Sequence, residues 1–317
     1  MNTFPAVEAF RGGTKLIKVV GHRGARGILP ENSMIGFTFA MSAGVPLLEF
    51  DVMMTSDLVP VITHNYRLHS AICRGKDGDF LKNEPKVSSL SWSDTQAFDI
   101  GKIDGESAYG KRFPERAQLD NIRVPRLTDL LHSVSQPQFA AANLMLEIKS
   151  DPDFIKDTAY RKKLVEIIIS QVRSAGLAER TLLHSFDWDI LSECQHQAPD
   201  IPVSFLTELP QNQDEIGEDS AKLVSPDFSG CEAKIPEMVK AAGGSVWCPN
   251  VNDVTDSNIL LAKNIGLCIA VWTVNEIKDI DRMIDFKVDA IVTDYPGRVQ
   301  RRLSDRGFCW QSNLKKN

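Results

Sequence analysis

Residues 19–33, VVGHRGARGILPENS, and residues 47–66, LLEFDVMMTSDLVPVITHNY, decide how this chain folds. An apolar run ending in Gly21-His22-Arg23-Gly24 reads as a buried strand that delivers polar side chains to a loop, where glycine lets the backbone take an unusual path. In the second stretch Glu49 and Asp51 stand at i and i+2 of a strand, so both carboxylates point to one face. Only Thr55-Ser56-Asp57-Leu58 separates this strand from the next. A parallel crossover needs about a dozen residues, so the sequence predicts an antiparallel hairpin folded about Ser56 and Asp57, with His64 roughly opposite Glu49.

Two carboxylates this close repel unless a cation lies between them, and hard oxygen ligands at this spacing suit Mg2+ or Ca2+. A single strand-end histidine is ordinarily structural, and carboxylates at i and i+2 ordinarily line a solvated face. A strand as apolar as residues 46–52, however, does not bury two charges without a partner. The joint pattern therefore predicts metal ligands and a general acid or base carried on one short segment.

Working outward, 317 residues with 43% hydrophobic side chains allow one large α/β domain or two smaller ones. A barrel of about 250 residues plus insertions fits that length. A net charge of -6 and a pI near 5.6 argue against a nucleic-acid surface, so a phosphate-bearing substrate would need local positive charge. The six cysteines form no CxxC pair and show no zinc-finger spacing, which predicts reduced, mostly buried thiols. The first residues carry no continuous apolar core of a signal peptide, and no run approaches the 18 or so residues of a membrane span, so the expected location is cytoplasmic. Nothing in the sequence sets an oligomeric state.

Residues 1–15 read as a lead-in helix and loop, and residues 16–20 as the first strand. Asn32 or Ser33 caps a helix through about Ala43, ended by Gly44. Beyond the hairpin, residues 67–123 become charged and glycine-rich with little periodicity, which predicts a mobile, lid-like insertion at the mouth of the domain. Strand and helix then alternate: strands over 143–149, 181–184, 202–207, 245–248, 267–273 and 290–293, helices over 160–175, 188–196, 235–242, 253–264 and 276–286, and a loose polar stretch over 211–220. Repeated strand-helix units argue for a parallel sheet, and an alternation this long for a closed barrel. Nine candidate strands are one more than a barrel takes, and one of them lies outside it. His184 reads as structural. The expected organisation is one TIM (β/α)8 barrel over residues 1–317 with 67–123 inserted after the hairpin.

The linked motifs His22-Arg23-Gly24, Pro30-Glu31-Asn32-Ser33, Glu49-Phe50-Asp51-Val52 and Val61-Ile62-Thr63-His64 resemble the glycerophosphodiester phosphodiesterase family, a metal-dependent (β/α)8 barrel family. Ser33 stands where the family usually has Thr, and Asn65 where Asp commonly follows the histidine. Trp272-Thr273-Val274-Asn275 and the stretch from Asp289 to Pro296 also look like family sequence. The resemblance implies Glu147 as third metal ligand beside Glu49 and Asp51, with Arg23 and Lys149 facing the phosphate. It further implies His22 and His64 as general base and general acid, and Trp272 walling the alcohol part of a glycerophosphodiester. The expected products are sn-glycerol 3-phosphate and an alcohol. A lysophospholipase D-type activity is the nearest alternative. A Schiff-base lyase using Lys149 would leave both histidines and the carboxylate pair without work, and a non-catalytic phosphodiester-binding protein would not need the histidines.

Overall fold

Along each strand, successive apolar side chains go to two different cores. Val19, Leu48, Leu144, Leu146, Leu183, Phe205, Trp247, Ile269 and Ile291 join the helices in one large cluster. Their neighbours Val20, Leu47, Met145, Leu182, Leu206, Val246, Cys268, Ala290 and Val292 form a second one. A period of two in a sheet buried on both sides gives this division, with one set facing the helices and the other the barrel axis. The protein, as a computed structural model, describes residues 4–209 and 224–311, so the polar stretch 211–220 lies outside the described residues.

Eight parallel strands close the barrel: β1 (Lys18–Gly21), β2 (Leu47–Met54), β4 (Asn143–Ile148), β5 (Thr181–Ser185), β6 (Val203–Thr207), β7 (Val246–Pro249), β8 (Cys268–Val271) and β9 (Ala290–Thr293). Pairing of β1 with both β2 and β9 makes the ring. The extra strand is β3 (Pro60–Ile62), which runs antiparallel to the end of β2. Helices fall where the alternation predicts, with small shifts set by their caps. Ser33 accepts from the Gly36 amide and starts Met34–Ser42. Thr255 caps Asp256–Asn264, so that helix begins three residues later than its apolar pattern suggests. The alternation read from sequence stops at Thr293, whereas the structure continues it with Pro296–Asp305, which opens on a proline at its first position.

The lead-in helix, Pro5–Phe10, is a plug. Its Ala6, Val7 and Phe10 belong to the axial cluster, and it touches β4, β5, β8 and the turn just before β5. That closes the N-terminal end of the barrel and leaves polar side chains to gather at the other, where barrel sites sit.

The 67–123 segment is packed rather than loose. Leu68, Cys73, Val87 and Ile100 form a cluster with Met53 and Val61 of the hairpin, and Ala71, Ile103, Tyr109 and Phe113 form another with Tyr295. Its charged, glycine-rich sequence hides this because the apolar residues follow neither a strand nor a helix period. Among the described residues no helix is long and apolar enough to cross a membrane. All six cysteines are free, four of them buried.

Candidate active site

The chain leaves β1 through a turn that only a small residue can open. A Cβ on Gly21 would lie 2.1 Å from the Gly24 carbonyl oxygen. Arg23 and Gly24 follow at φ 48° and 88°, the left-handed region that glycine adopts freely and arginine does not. This turn aims the Arg23 amide at Glu49 Oε2, 2.9 Å away. Asn32, also left-handed at φ 52°, donates from Nδ2 to Asp51 Oδ2 at 2.9 Å. Both loop motifs are thus strapped onto the acidic face of β2.

On β2, Asp51 is in register with Glu147 of β4. With Glu49 two residues back on the same face, ligand atoms of all three carboxylates lie within 4.8 Å of one another, and all three residues are buried. Lys149 Nζ stands 2.9 Å from Glu147 Oε1 and 3.8 Å from Asp51 Oδ1.

The hairpin brings in His64, with a register one residue different from expectation. Met54 pairs with Pro60 and Val52 with Ile62, so the fold centres on Asp57 rather than between Ser56 and Asp57. A turn closed by Leu58 N on Thr55 O at 3.0 Å, with Leu58 left-handed at φ 59°, accounts for the shift. The Thr63 amide donates to Asp51 O at 3.1 Å, which sets His64 at the level of the carboxylates. Thr63, His64 and Asn65, with Arg67, His69 and Tyr109 of the inserted segment, line a cleft.

Partner chemistry assigns the imidazole protons. His22 Nδ1 is 2.6 Å from Asp294 Oδ1, and a carboxylate held far below the usual range by Arg26 and His22, against the effect of burial, only accepts; so Nδ1 donates. His22 Nε2 faces Glu49 Oε2 at 3.8 Å. At His64 the order of argument reverses. Lys149 Nζ, 3.2 Å from His64 Nε2, only donates, so Nε2 accepts and the ring proton sits on Nδ1, bonded to Asn65 Oδ1. Burial, reinforced by Arg26, presses the His22 imidazole down to about 4 against the pull of Asp294. The His22 ring therefore rests neutral at pH 7 with its Nε2 lone pair toward Glu49.

Burial and the neighbouring Asp51 and Glu147 push the Glu49 carboxyl well above its ordinary range. Burial acts on Asp51 in the same sense, but Arg23, His64 and Lys149 overcome it and hold that group low. Among the described residues, Asp51 Oδ1 is buried and accepts no hydrogen bond. Such an orphaned acceptor, beside a carboxylate pressed toward its neutral form, fits a donor set shaped to hold a cation.

Several polar partners here carry no role in the sequence reading. Asp294, fully buried, also accepts from Arg26 Nε at 2.8 Å and Nη2 at 3.0 Å and from Asn275 Nδ2 at 2.7 Å. Glu31 accepts from Arg23 Nη1 at 2.8 Å, Tyr109 Oη at 2.5 Å and Arg116 Nη1 at 3.0 Å. Their signal was present in the quoted motifs, but the partners lie 85 and 272 residues away in the chain. Trp272 stands past the end of β8, edge-on to Phe186 at 5.4 Å, its Nε1 donating to Cys248 O. His184 is buried and paired with Ser204 Oγ at 2.8 Å.

A closed (β/α)8 barrel, plugged at one end and holding convergent buried carboxylates and two histidines at the other, defines a class: barrel enzymes fit to hold a divalent cation. A profile of the Glycerophosphoryl diester phosphodiesterase family matches residues 22–298. A solved structure from Silicibacter pomeroyi, named for the same activity, is 43% identical, with TM-score 0.88 over 98% of this chain and 100% of that one. A glycerophosphodiester phosphodiesterase of Bacillus subtilis is 24% identical over 88% of this chain and 84% of its own. The human lysophospholipase D GDPD3 is 23% identical over 94% and 88%. An Oleispira antarctica phosphodiesterase solved with sn-glycerol-3-phosphate shares the fold at TM-score 0.68 and 18% identity, covering 91% of this chain and 97% of its own. The chain belongs to the glycerophosphoryl diester phosphodiesterase family, hydrolases of glycerophosphodiesters whose members are typically divalent-metal-dependent.

Proposed function

We propose that this protein hydrolyses glycerophosphodiesters such as glycerophosphocholine or glycerophosphoethanolamine to sn-glycerol 3-phosphate and the free alcohol. Glu49, Asp51 and Glu147 hold one divalent cation, Mg2+ or Ca2+. The observation that carries this reading is the buried carboxylate cluster with His22 Nε2 facing Glu49 and His64 Nε2 on the Lys149 ammonium that pairs with Glu147. When bound, the cation supplies positive charge to the phosphodiester oxygens. Arg23 and Lys149 neutralise what charge remains on them.

His22 and His64 form the acid-base pair. One ring, neutral, withdraws a proton from the attacking hydroxyl while the other, protonated from solvent to imidazolium beforehand, delivers one to the oxygen of the departing alcohol, and Asp294 keeps the His22 Nε2 face turned to the substrate. The vicinal glycerol hydroxyl is the favoured nucleophile because it is already tethered. Its attack forms a cyclic O–P bond as the P–O bond to the alcohol breaks, and water then opens the ring. Trp272 walls the alcohol side. The whole chain acts as one barrel unit, with residues 67–123 covering its mouth and selecting the alcohol. The absence of paired cysteines, with Cys231 exposed as a free thiol, suits a reducing compartment, and we assign the protein to the cytoplasm.

The human relative's name gives a second reading, cleavage of lysophospholipids. Choline release from glycerophosphocholine and from lysophosphatidylcholine, each with Mg2+, Ca2+ or EDTA, separates the two. Preference for glycerophosphocholine, lost in EDTA, is the expected result. Binding of either compound without turnover at saturating metal would reduce the protein to a phosphodiester-binding module.

A further inference from the structure

The Glu31 carboxylate divides its two oxygens between different parts of the molecule. Oε1 accepts from Arg23, whose Nε lies 3.3 Å from Asp51 Oδ2. Oε2 accepts from Tyr109 and Arg116, both on the 67–123 segment. The Arg116 side chain is fully buried, and among the described residues its Nε and Nη2 have no hydrogen-bond partner. A buried cation satisfied on one edge only is anchored by its ion pair with Glu31. The Tyr109 hydroxyl also lies 3.4 Å from Arg26 Nη1, and Arg26 holds Asp294 behind His22. One inserted element therefore reaches both cationic arms of the site through a phenol and a guanidinium.

Two opposing pulls act on Arg23. The acidic cluster attracts its guanidinium from one side, where it would compete with a metal ion for the same oxygens, and Glu31 holds it from the other. Glu31 resists only as firmly as its own far oxygen is held. We propose that Tyr109 and Arg116 are positioning residues for phosphodiester binding, acting through Glu31 to keep Arg23 aimed at the phosphate rather than collapsed onto Asp51. This rests on the reading of Arg23 as a phosphate-binding group. The inserted segment then has a role toward every substrate, in addition to any selection among alcohols.

The test measures kcat and KM at saturating Mg2+ on glycerophosphocholine and on sn-glycero-3-phospho-p-nitrophenol, which keeps the glycerol and lacks the natural alcohol. Arg116→Met is expected to raise KM about tenfold on both substrates with a smaller change in kcat, the pattern of lost binding shared by ground and transition states. Tyr109→Phe should raise KM about threefold. Arg116→Lys, which keeps the cation, should recover part of the loss, and Lys111→Ala, exposed on the same short helix as Tyr109, should leave both constants unchanged. In an Arg23→Met background, Arg116→Met should add less than about a further twofold, because the two act in series.

Additive effects of Arg23→Met and Arg116→Met, or a loss confined to glycerophosphocholine, would overturn the proposal while leaving the phosphate-binding role of Arg23 intact. An unchanged KM in Arg23→Met itself would overturn that role, and this inference with it. Should Arg116→Met fail to fold, Tyr109→Phe removes a single hydroxyl and is judged by the same criteria.

Discussion

Replacing Asp294 by Asn isolates what the carboxylate behind His22 does, because the side chain keeps its shape and loses only charge and one acceptor. Asp294 receives four hydrogen bonds, from His22 Nδ1, Arg26 Nε, Arg26 Nη2 and Asn275 Nδ2, and has no exposure to water. An amide offers one oxygen to those donors and turns an NH2 toward the rest. If the oxygen takes the Oδ2 place, it keeps Arg26 Nη2 and Asn275 while the NH2 meets Arg26 Nε and His22 Nδ1, forces the imidazole proton onto Nε2 and removes the lone pair from the site. If it takes the Oδ1 place, it keeps His22 Nδ1 and Arg26 Nε, and the buried bidentate pair is broken at Nη2. Either way Arg26 is left as an under-compensated buried cation, which costs about 3–5 kcal/mol. Against a typical total of about 5–15 kcal/mol the variant should fold at 25 °C with a lowered Tm. A misplaced imidazole proton should cost roughly 10²–10⁴ in kcat, by analogy with the same change in other acid-base sites. Urea unfolding gives the first quantity, steady-state kinetics at saturating Mg2+ the second, and calorimetric titration with Mg2+ shows that metal affinity is retained. A folded Asp294→Asn protein with wild-type kcat would refute the argument. Recovery of kcat at high Mg2+ would move Asp294 from positioning His22 to supporting the metal.

Further outcomes follow from the same geometry. EDTA should abolish activity and a divalent cation restore it, and Glu49→Gln should weaken both Mg2+ binding and rate, since an amide is a poorer ligand than a carboxylate; full turnover by metal-free protein is the contrary result. His22→Ala and His64→Ala should each lower kcat by roughly 10²-fold or more with Mg2+ affinity nearly unchanged, whereas rescue of either by excess metal would make that histidine a ligand. Burial presses His184 down to about 3, while an unfolded histidine titrates near 6.5. The unfolded chain then binds the extra proton, so this contribution is fully present above about pH 6.5 and is lost toward pH 3 at about 1.4 kcal/mol per unit. His184→Gln should reduce by nearly that much the pH slope of unfolding free energy between about pH 6 and 5, and an unaltered slope would show that His184 is not titrating on unfolding.

Local periodicity and loop length were enough to place most of the barrel. Strand and helix alternate with periods the sequence displays, and a four-residue link can only be a hairpin, so Glu49, Asp51 and His64 were bound to meet. Glu147 and Lys149 were legible as a second carboxylate-bearing strand, but their registration beside Asp51 comes from the β2–β4 pairing. Ring closure decided the rest. Pairing of β1 with β9 aligns Gly21 with Thr293, and so sets His22 beside Asp294 across nearly the whole chain length. Which strand stands outside the ring, how the first helix stops its lower end, and how Arg116 and Tyr109 come to share Glu31 depend on contacts between residues far apart in sequence. Charge and glycine content disguised the inserted segment as a loose cover, because its apolar side chains match the irregular surface they pack against instead of a repeating local pitch. A periodic pattern records the face an element must bury; the partner on that face is chosen only when the chain closes.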